Sequence, residues 1–479
     1  MTFIVRRTTS SLFKIASIGS ILVIALSGCG GGGGGQPTNV SRNPTEIDTS
    51  YGNQGQVTFP LGVLDGGVGP AVLQSDGKLI ISGWRQTGSL PIANNAQNFN
   101  PTQIYVLRLN SDGSLDPTFG VGGEMRFNVK GSDTVADVKL QADGKILLAV
   151  HSVEPCARNA LDFTSPCTTP DGRQVLFISA LVRLTPQGAL DSTLGGTGIV
   201  ETAETRSKLR LALQTDGKIL FLHSTSIARF RILGWALTRY NPNGTPDSTF
   251  NQGNPMLSKC KSDGNSLVVQ PDRRIVVGGT DGAISTNPTV NPGFCLERVN
   301  VDGSHDLSFR PADLWTKFDA NVQLNSLSTL PNGNLLAVGR ICDITACGVV
   351  AARYDADGVL DPSFGVAGIV RKLDFDNRFQ LTGYIVTQGG DIVILGYQKQ
   401  NATLGKLPLY TPIWIRLDVN GQPANGFGAN GILFGTPDIK EPRDLLRDQA
   451  GRWLVIYSSI PDGKVSIVVT RLIGEQLIK

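Results

Sequence analysis

"EIDTSYGNQGQVTF", Glu46 to Phe59, is the back half of a phrase that the chain writes in full elsewhere. The full form is "LRLNSDGSLDPTFGVGGEMRF", Leu107 to Phe127, and its front half, "VVTRL", recurs alone at Val468 to Leu472. One repeat is therefore divided between the two extremities of the polypeptide. If each repeat is a sheet, its halves must meet, and the molecule is expected to close on itself.

Two phrases alternate along the chain. The first is an apolar residue, Gln-x-Asp-Gly-Lys and an apolar run, as in "VLQSDGKLIISG" (Val72–Gly83), "KLQADGKILLAV" (Lys139–Val150) and "ALQTDGKILFLH" (Ala212–His223). Its turn residue falls at Gly77, Gly144, Gly217, Arg273, Gly333, Gly390 and Gly451, seven copies spaced 56 to 73 residues apart. The second phrase starts at Arg108, Arg183, Arg239, Arg298, Arg353 and Arg416, with the seventh begun at Arg471 and resumed at Asp48. Fixed periods of this size mark repeat architectures.

Asp-Gly between apolar runs is a hairpin signal, because Gly tolerates the positive φ that a tight turn needs. Segments such as "KLIISG", "RIVVGG" and "DIVILG" are short and rich in Ile, Val and Leu, as strands buried on both faces are. No long 3.6-period segment appears beyond residue 28. Each unit then supplies four strands: one before and one after the Gln-x-Asp-Gly turn, and one before and one after the Asp-Gly-x-x-Asp-x-x-Phe-Gly turn. The expected fold is all-β, a seven-bladed β-propeller of four-stranded antiparallel blades, closed by an N-terminal outer strand joining the C-terminal blade. The domain so defined runs over 46–479.

"LQADGKILLAV" and "ARYDADGVLDPSFGVAG" resemble the delta-60 repeat proteins, and the resemblance covers residues 46 to 472. It implies a propeller, commonly exported or surface-attached, and no particular reaction. Two positions depart from the pattern, Arg273 in the first turn and Ala424 where other units carry Asp; relaxed turns are expected there.

Residues 1–28 read as an export signal: Arg6, Arg7 and Lys14, then an uncharged apolar run from Ile15 to Leu26, too short to span a ~30 Å hydrocarbon core. Its end, "LSGC" (Leu26–Cys29), resembles the lipobox of bacterial lipoproteins, which implies cleavage before Cys29 and lipidation of that cysteine. Residues 29–45, with six glycines at Gly30–Gly35, are expected to be a flexible tether. The expected address is the bacterial cell envelope, anchored by lipid to the outer membrane and facing periplasm or medium, with the protein a monomer.

Three of the 43 Lys and Arg lie in the signal, and none of the 40 Asp and Glu, so the remainder is balanced. No basic stripe appears, and nucleic acid is not an expected partner. Beyond Cys29 there are six cysteines, Cys156, Cys167, Cys260, Cys295, Cys342 and Cys347, an even number that suggests disulfides in an exported chain. Cys156 lies near Cys167 and Cys342 near Cys347, leaving Cys260 with Cys295; spacing alone does not settle connectivity. None of them has the clustered spacing of a zinc site.

Asp48, Asp116, Asp191, Asp247, Asp306 and Asp361 hold one position of the second turn, where a carboxylate accepts backbone N–H bonds and stabilises the turn. "NSDGSLD" and "DADGVLD" also offer calcium oxygens, but "TPQGALD" and "NPNGTPD" keep the turn without the extra acids, so the structural role is preferred and no metal or cofactor is expected. The repeated arginines are expected to pair with turn carboxylates or carbonyls, and Lys78, Lys145 and Lys218 to be solvated. His151, His223 and His305 form no metal-binding pair, and no nucleophile or phosphate-binding motif occurs. No catalytic residue is assigned.

All regular turns should emerge on one rim and all irregular loops on the other, including 84–103 and 152–174. Binding sites favour variable loops on rigid scaffolds. The favoured function is thus a lipid-anchored, noncatalytic scaffold that binds a protein or cell-surface polymer through the irregular rim. The alternative is a polysaccharide-active hydrolase or lyase with its site at the channel mouth, which convergent carboxylates there would favour.

Overall fold

The computed structural model describes residues 45–475, apart from 63–64, 89, 92–97, 100, 156–174, 203–207, 228–230, 261–263, 282–291, 311–314, 401–406 and 462. The signal, Cys29, the tether and the Cys156–Cys167 loop lie outside the described residues. Apart from one 3-10 turn at Asn251–Gly253, the regular elements are all β-strands. Among the described residues no helix is long and apolar enough to cross a membrane.

Five sheets have four strands each, and an eight-stranded sheet is two more four-stranded units bridged by one parallel pair, Thr102 with Ser132. Within every unit the strands are antiparallel and follow chain order. One unit is the exception: Gln56–Pro60 pairs with Ser466–Leu472, Val57 lying opposite Val469. The first strand of the fold is therefore the outer strand of the last sheet.

The innermost strands are Gly66–Leu73, Ser132–Leu140, Leu209–Leu213, Gly264–Val269, Asn321–Thr329, Phe379–Val386 and Glu441–Arg447. Each touches the next in this order, and Glu441–Arg447 also touches Gly66–Leu73. The second and third strands of each unit carry most of the core. Gly293–Val299 is buried at every position, which explains its lack of alternation. Apolar clusters fill the gaps between sheets: Phe294, Leu296 and Val276 of one unit pack with Val322, Leu324 and Leu335 of the next. Tyr51 and Val469, from opposite ends of the chain, share a cluster with Leu79 and Tyr105.

The first turn differs from a two-residue hairpin. Gln74 N donates to Lys78 O (2.8 Å) and Gly77 N to Gln74 O (3.0 Å), and of the turn residues only Gly77 has positive φ, +82°. This is a three-residue loop, a type I turn closed by one left-handed residue. Arg273 does not relax its turn. It keeps the bond to Gln270 O (2.8 Å) and adopts φ +70° itself, a conformation that disfavours side chains.

Candidate functional site

Two constellations of charge repeat or converge in this frame, one in the second turns and one on the innermost strands.

In the turns, Arg108 Nε donates to Asp116 Oδ2 at 2.7 Å and its Nη1 to the carbonyl of Pro186 in the next unit. Thr118 N donates to Asp116 Oδ1 at 3.0 Å. Arg183–Asp191, Arg239–Asp247, Arg298–Asp306 and Arg353–Asp361 repeat the pair, with Nη1 reaching Pro242, Val301, Ala356 and Val419. Arg471 makes it across the chain ends, to Asp48 Oδ2 (2.8 Å) and to Ser111 O (2.6 Å). Arg416, whose unit has Ala424 instead of Asp, turns to Asp391. In most units an aromatic ring lies beneath the guanidinium, as Phe119 does under Arg108 at 4.8 Å. Phe119 also closes on Gly188 of the next turn, where a Cβ would sit 2.8 Å from the ring. Burial pushes these carboxyls up, but bonds from Lys78, Thr118 and Arg108 outweigh it and hold Asp116 well below the usual range.

The expectation that Lys78, Lys145 and Lys218 are solvated is corrected. They pair with Asp116 (2.8 Å), Asp191 (3.2 Å) and Asp247 (2.7 Å), each the second cation on a buried carboxylate. Both oxygens of Asp116 are thereby occupied by donors. Among the described residues no cluster of His, Cys, Asp or Glu converges to hold a metal ion. A groove of about 620 Å³ opens between the turns of the second and third units; of its charged groups, Lys145, Arg183 and Asp143 are engaged in ion pairs, and Asp216 accepts Lys218 N.

Cys260 is bonded to Cys295, and Cys342 to Cys347, which face each other across a hairpin. His151 and His223 lie within strands, paired opposite Ser179 and Ala236. His305 Nδ1 is 2.8 Å from buried Glu297.

The second constellation lies on the innermost strands, where six of the seven pairings between first and second strands carry a register shift. A bulge re-aims the side chains beside it. Next to two of these bulges stand Asp137 and Asp444. Asp137 Oδ2 accepts Leu211 N of the following unit (2.8 Å), its Oδ1 accepts Val138 N (2.8 Å), and Lys139 Nζ is 2.9 Å away. Asp444 accepts Ala71 N of the following unit (3.1 Å) and Leu445 N (2.8 Å), without an ion pair among the described residues. Burial pushes the Asp444 carboxyl up to about 6, against the two N–H bonds and the Lys139 charge, and Asp137 adds to the rise. Two carboxyls thus interact from strands flanking Gly66–Leu73, one partnered by a lysine and one with its proton affinity raised.

Arg210 is beside them. Its Nη1 donates to Leu209 O (2.8 Å) and Ala136 O (3.5 Å), and its Nε to Asn265 O (2.9 Å). Burial and the Arg210 charge lower His151 to about 4. The sequence reading missed Asp137, Asp444 and Arg210. In the repeat register they were visible: seven residues before the turn Gly or Arg stand Pro70, Asp137, Arg210, Ser266, Ser326, Gly383 and Asp444, charged in three units only.

A family profile described as a domain of unknown function (DUF5122) beta-propeller matches residues 93–119 and 214–250. No curated protein matches the chain. Among solved structures, a Dyadobacter fermentans protein of unknown function is similar at 11% identity over 91% of this chain and 99% of that one, TM-score 0.42. The polysaccharide lyase Uly1 is similar at 12% identity over 91% and 94%, TM-score 0.43. The endo-arabinase of Bacteroides thetaiotaomicron is similar at 11% identity over 57% and 94%, TM-score 0.30. At these identities the likeness is one of fold.

The expectation of a noncatalytic binding scaffold is corrected. Solved structures of similar fold include ones titled as a polysaccharide lyase, an endo-arabinase and an alpha-L-arabinofuranosidase. The alternative looked for convergent carboxylates at the channel mouth; the interacting pair, Asp137 and Asp444, stands instead at mid-strand on the inner strands. They escaped notice because nothing local ties Asp137 to Asp444; only the meeting of the last inner strand with the first brings them within electrostatic reach. All-β, built of four-stranded antiparallel sheets and matched in part by a propeller profile, the chain has the architecture of a β-propeller.

Proposed function

We propose that the chain is a seven-bladed propeller, closed by its own first strand, that cleaves polysaccharide on its inner wall. The observation that carries the catalytic part is the Asp137–Asp444 pair, two acids whose surroundings differ. A carboxyl whose proton affinity is raised by burial, as that of Asp444 is, suits the role of acid. Asp444, protonated below about pH 6, would give its proton to the glycosidic oxygen as the C–O bond breaks. Asp137, beside Lys139, would stabilise the positive charge developing on the sugar ring or take a proton from the attacking water. The cyclic contacts of the inner strands and the Arg471–Asp48–Ser111 link support closure. Export and lipid attachment at Cys29 belong to the same proposal, since a tethered envelope protein meets polymeric glycan; Cys29→Ser should release the protein from the membrane fraction.

The test is reducing-end release from a panel of plant, algal and bacterial polysaccharides. Cleavage should depend on a protonated group, falling as pH rises through about 6, and Asp444→Asn and Asp137→Asn should each lower it about 10²-fold or more in protein whose circular dichroism shows the fold retained. Activity surviving both substitutions would refute the assignment.

A further inference from the structure

We infer that the inner wall takes an acidic glycan, whose uronic-acid carboxylate is bound by Arg210 with Lys139 beside it. This rests on reading the wall as a polysaccharide site. The arginines of the turns each have a carboxylate: Arg108, Arg183, Arg239, Arg298, Arg353 and Arg471 the turn Asp, and Arg416 Asp391. Among the described residues Arg210 has only carbonyls, those of Leu209, Ala136 and Asn265. Neutral acceptors from three consecutive inner strands fix the plane of the guanidinium without neutralising it, and its Nη2 has no hydrogen-bond partner among the described residues. A part-buried guanidinium oriented in this way is completed by a bidentate anion, and carboxylate matches its fork.

The surroundings have the same sign. Lys139 Nζ keeps 41% of its side chain exposed while paired with Asp137. Lys208 Nζ lies 3.0 Å from Asn265 Oδ1, on the residue whose carbonyl holds Arg210. His151, lowered to about 4, adds no charge of its own near neutrality. Arg210 and Lys139 therefore stand together beside Asp137 on this side of the wall, with Asp444 contributed from the last unit. A neutral polymer would leave Arg210 unpaired. A uronic acid would meet it beside Asp137, so that recognition and cleavage share a site.

The experiment is calorimetric binding of the full chain to oligogalacturonate, oligoguluronate and glucuronoxylan oligosaccharides, each beside its carboxyl-reduced form. At least one acidic oligomer should bind tenfold or more tightly than its reduced form, and the gap should narrow between 20 mM and 200 mM salt (chosen as about 20 and 7 Å of Debye length). Arg210→Gln should remove that gap and Lys139→Gln should reduce it; if Arg210→Gln fails to fold, Lys139→Gln carries the test. Equal binding of acidic and reduced forms, no binding of any acidic oligomer, or an unchanged gap in a folded Arg210→Gln would overturn the inference. The readouts separate the two proposals: an acidic oligomer bound but never cleaved sinks only the catalytic reading. Cleavage of a neutral glycan that is indifferent to Arg210→Gln sinks only this one.

Discussion

Arg471→Ala should be among the most destabilising single changes outside the apolar core, because one side chain ties three separated segments. Its Nε reaches Asp48 Oδ2 (2.8 Å), its Nη2 reaches Ser50 Oγ (2.9 Å) and its Nη1 reaches Ser111 O (2.6 Å), while the guanidinium lies 4.6 Å from the centre of the Tyr51 ring. Arg471 is 4% exposed. Truncation would leave Asp48 and the Ser111 carbonyl without their donors, and removing one partner of a buried pair costs about 3–5 kcal/mol. Arg416 is the internal control: its side chain and that of Asp391 are 26% and 21% exposed, it has no turn Asp, and Arg416→Ala should cost about 1 kcal/mol. Equilibrium urea unfolding, analysed by linear extrapolation, reads both. A double-mutant cycle of Arg471→Ala with Asp48→Ala should return a coupling of about 1–3 kcal/mol. Equal losses from Arg471→Ala and Arg416→Ala, with no coupling to Asp48, would refute the idea that the chain ends are locked here. Removal of 46–60, which takes away Asp48, Tyr51 and the strand paired with Ser466–Leu472, should cost more still, and removal of 30–42 nothing.

Acid should unfold the protein in a particular window. Asp48, Asp116, Asp191, Asp247, Asp306 and Asp361 are all lowered in the fold, Asp306 to about 2. Native protein therefore binds fewer protons than unfolded chain, so their stabilisation is present above about pH 4 and is lost as pH falls towards 2. Asp444 acts with opposite sign, its penalty growing as pH rises from about 4 to 6, so Asp444→Asn should flatten that limb; unfolding curves from pH 2 to 8 check both. Arg273→Gly should stabilise by about 1 kcal/mol, since φ +70° is free for Gly and costly for Arg; a loss of stability would show that the Arg273 side chain has a partner role. Reducing Cys260–Cys295, which closes a separation of 35 residues, should cost about 4 kcal/mol by the chain-entropy relation. Unfolding of the Cys260→Ala/Cys295→Ala variant measures it.

Much of the architecture was written in local chemistry. Asp-Gly turns, uninterrupted apolar runs and a phrase divided between Val468–Leu472 and Glu46–Phe59 called for four strands per unit and a meeting of the ends, and Val57 does lie opposite Val469. Hairpins and strand pairs are set by residues a few positions apart, so one chain read in order contains them. The lysines of the first turns were misread for the complementary reason: Lys78 and Asp116 belong to different turns, and only folding brings them within 2.8 Å. Asp137, Asp444 and Arg210 lay further out of reach. Their sequence neighbourhoods are ordinary strand, and their chemistry arises when inner strands of non-adjacent units face one another and burial raises a carboxyl that water would leave unperturbed. Repetition writes the scaffold into every copy of the phrase, whereas a site is made where copies differ, and which differences converge is decided by packing alone.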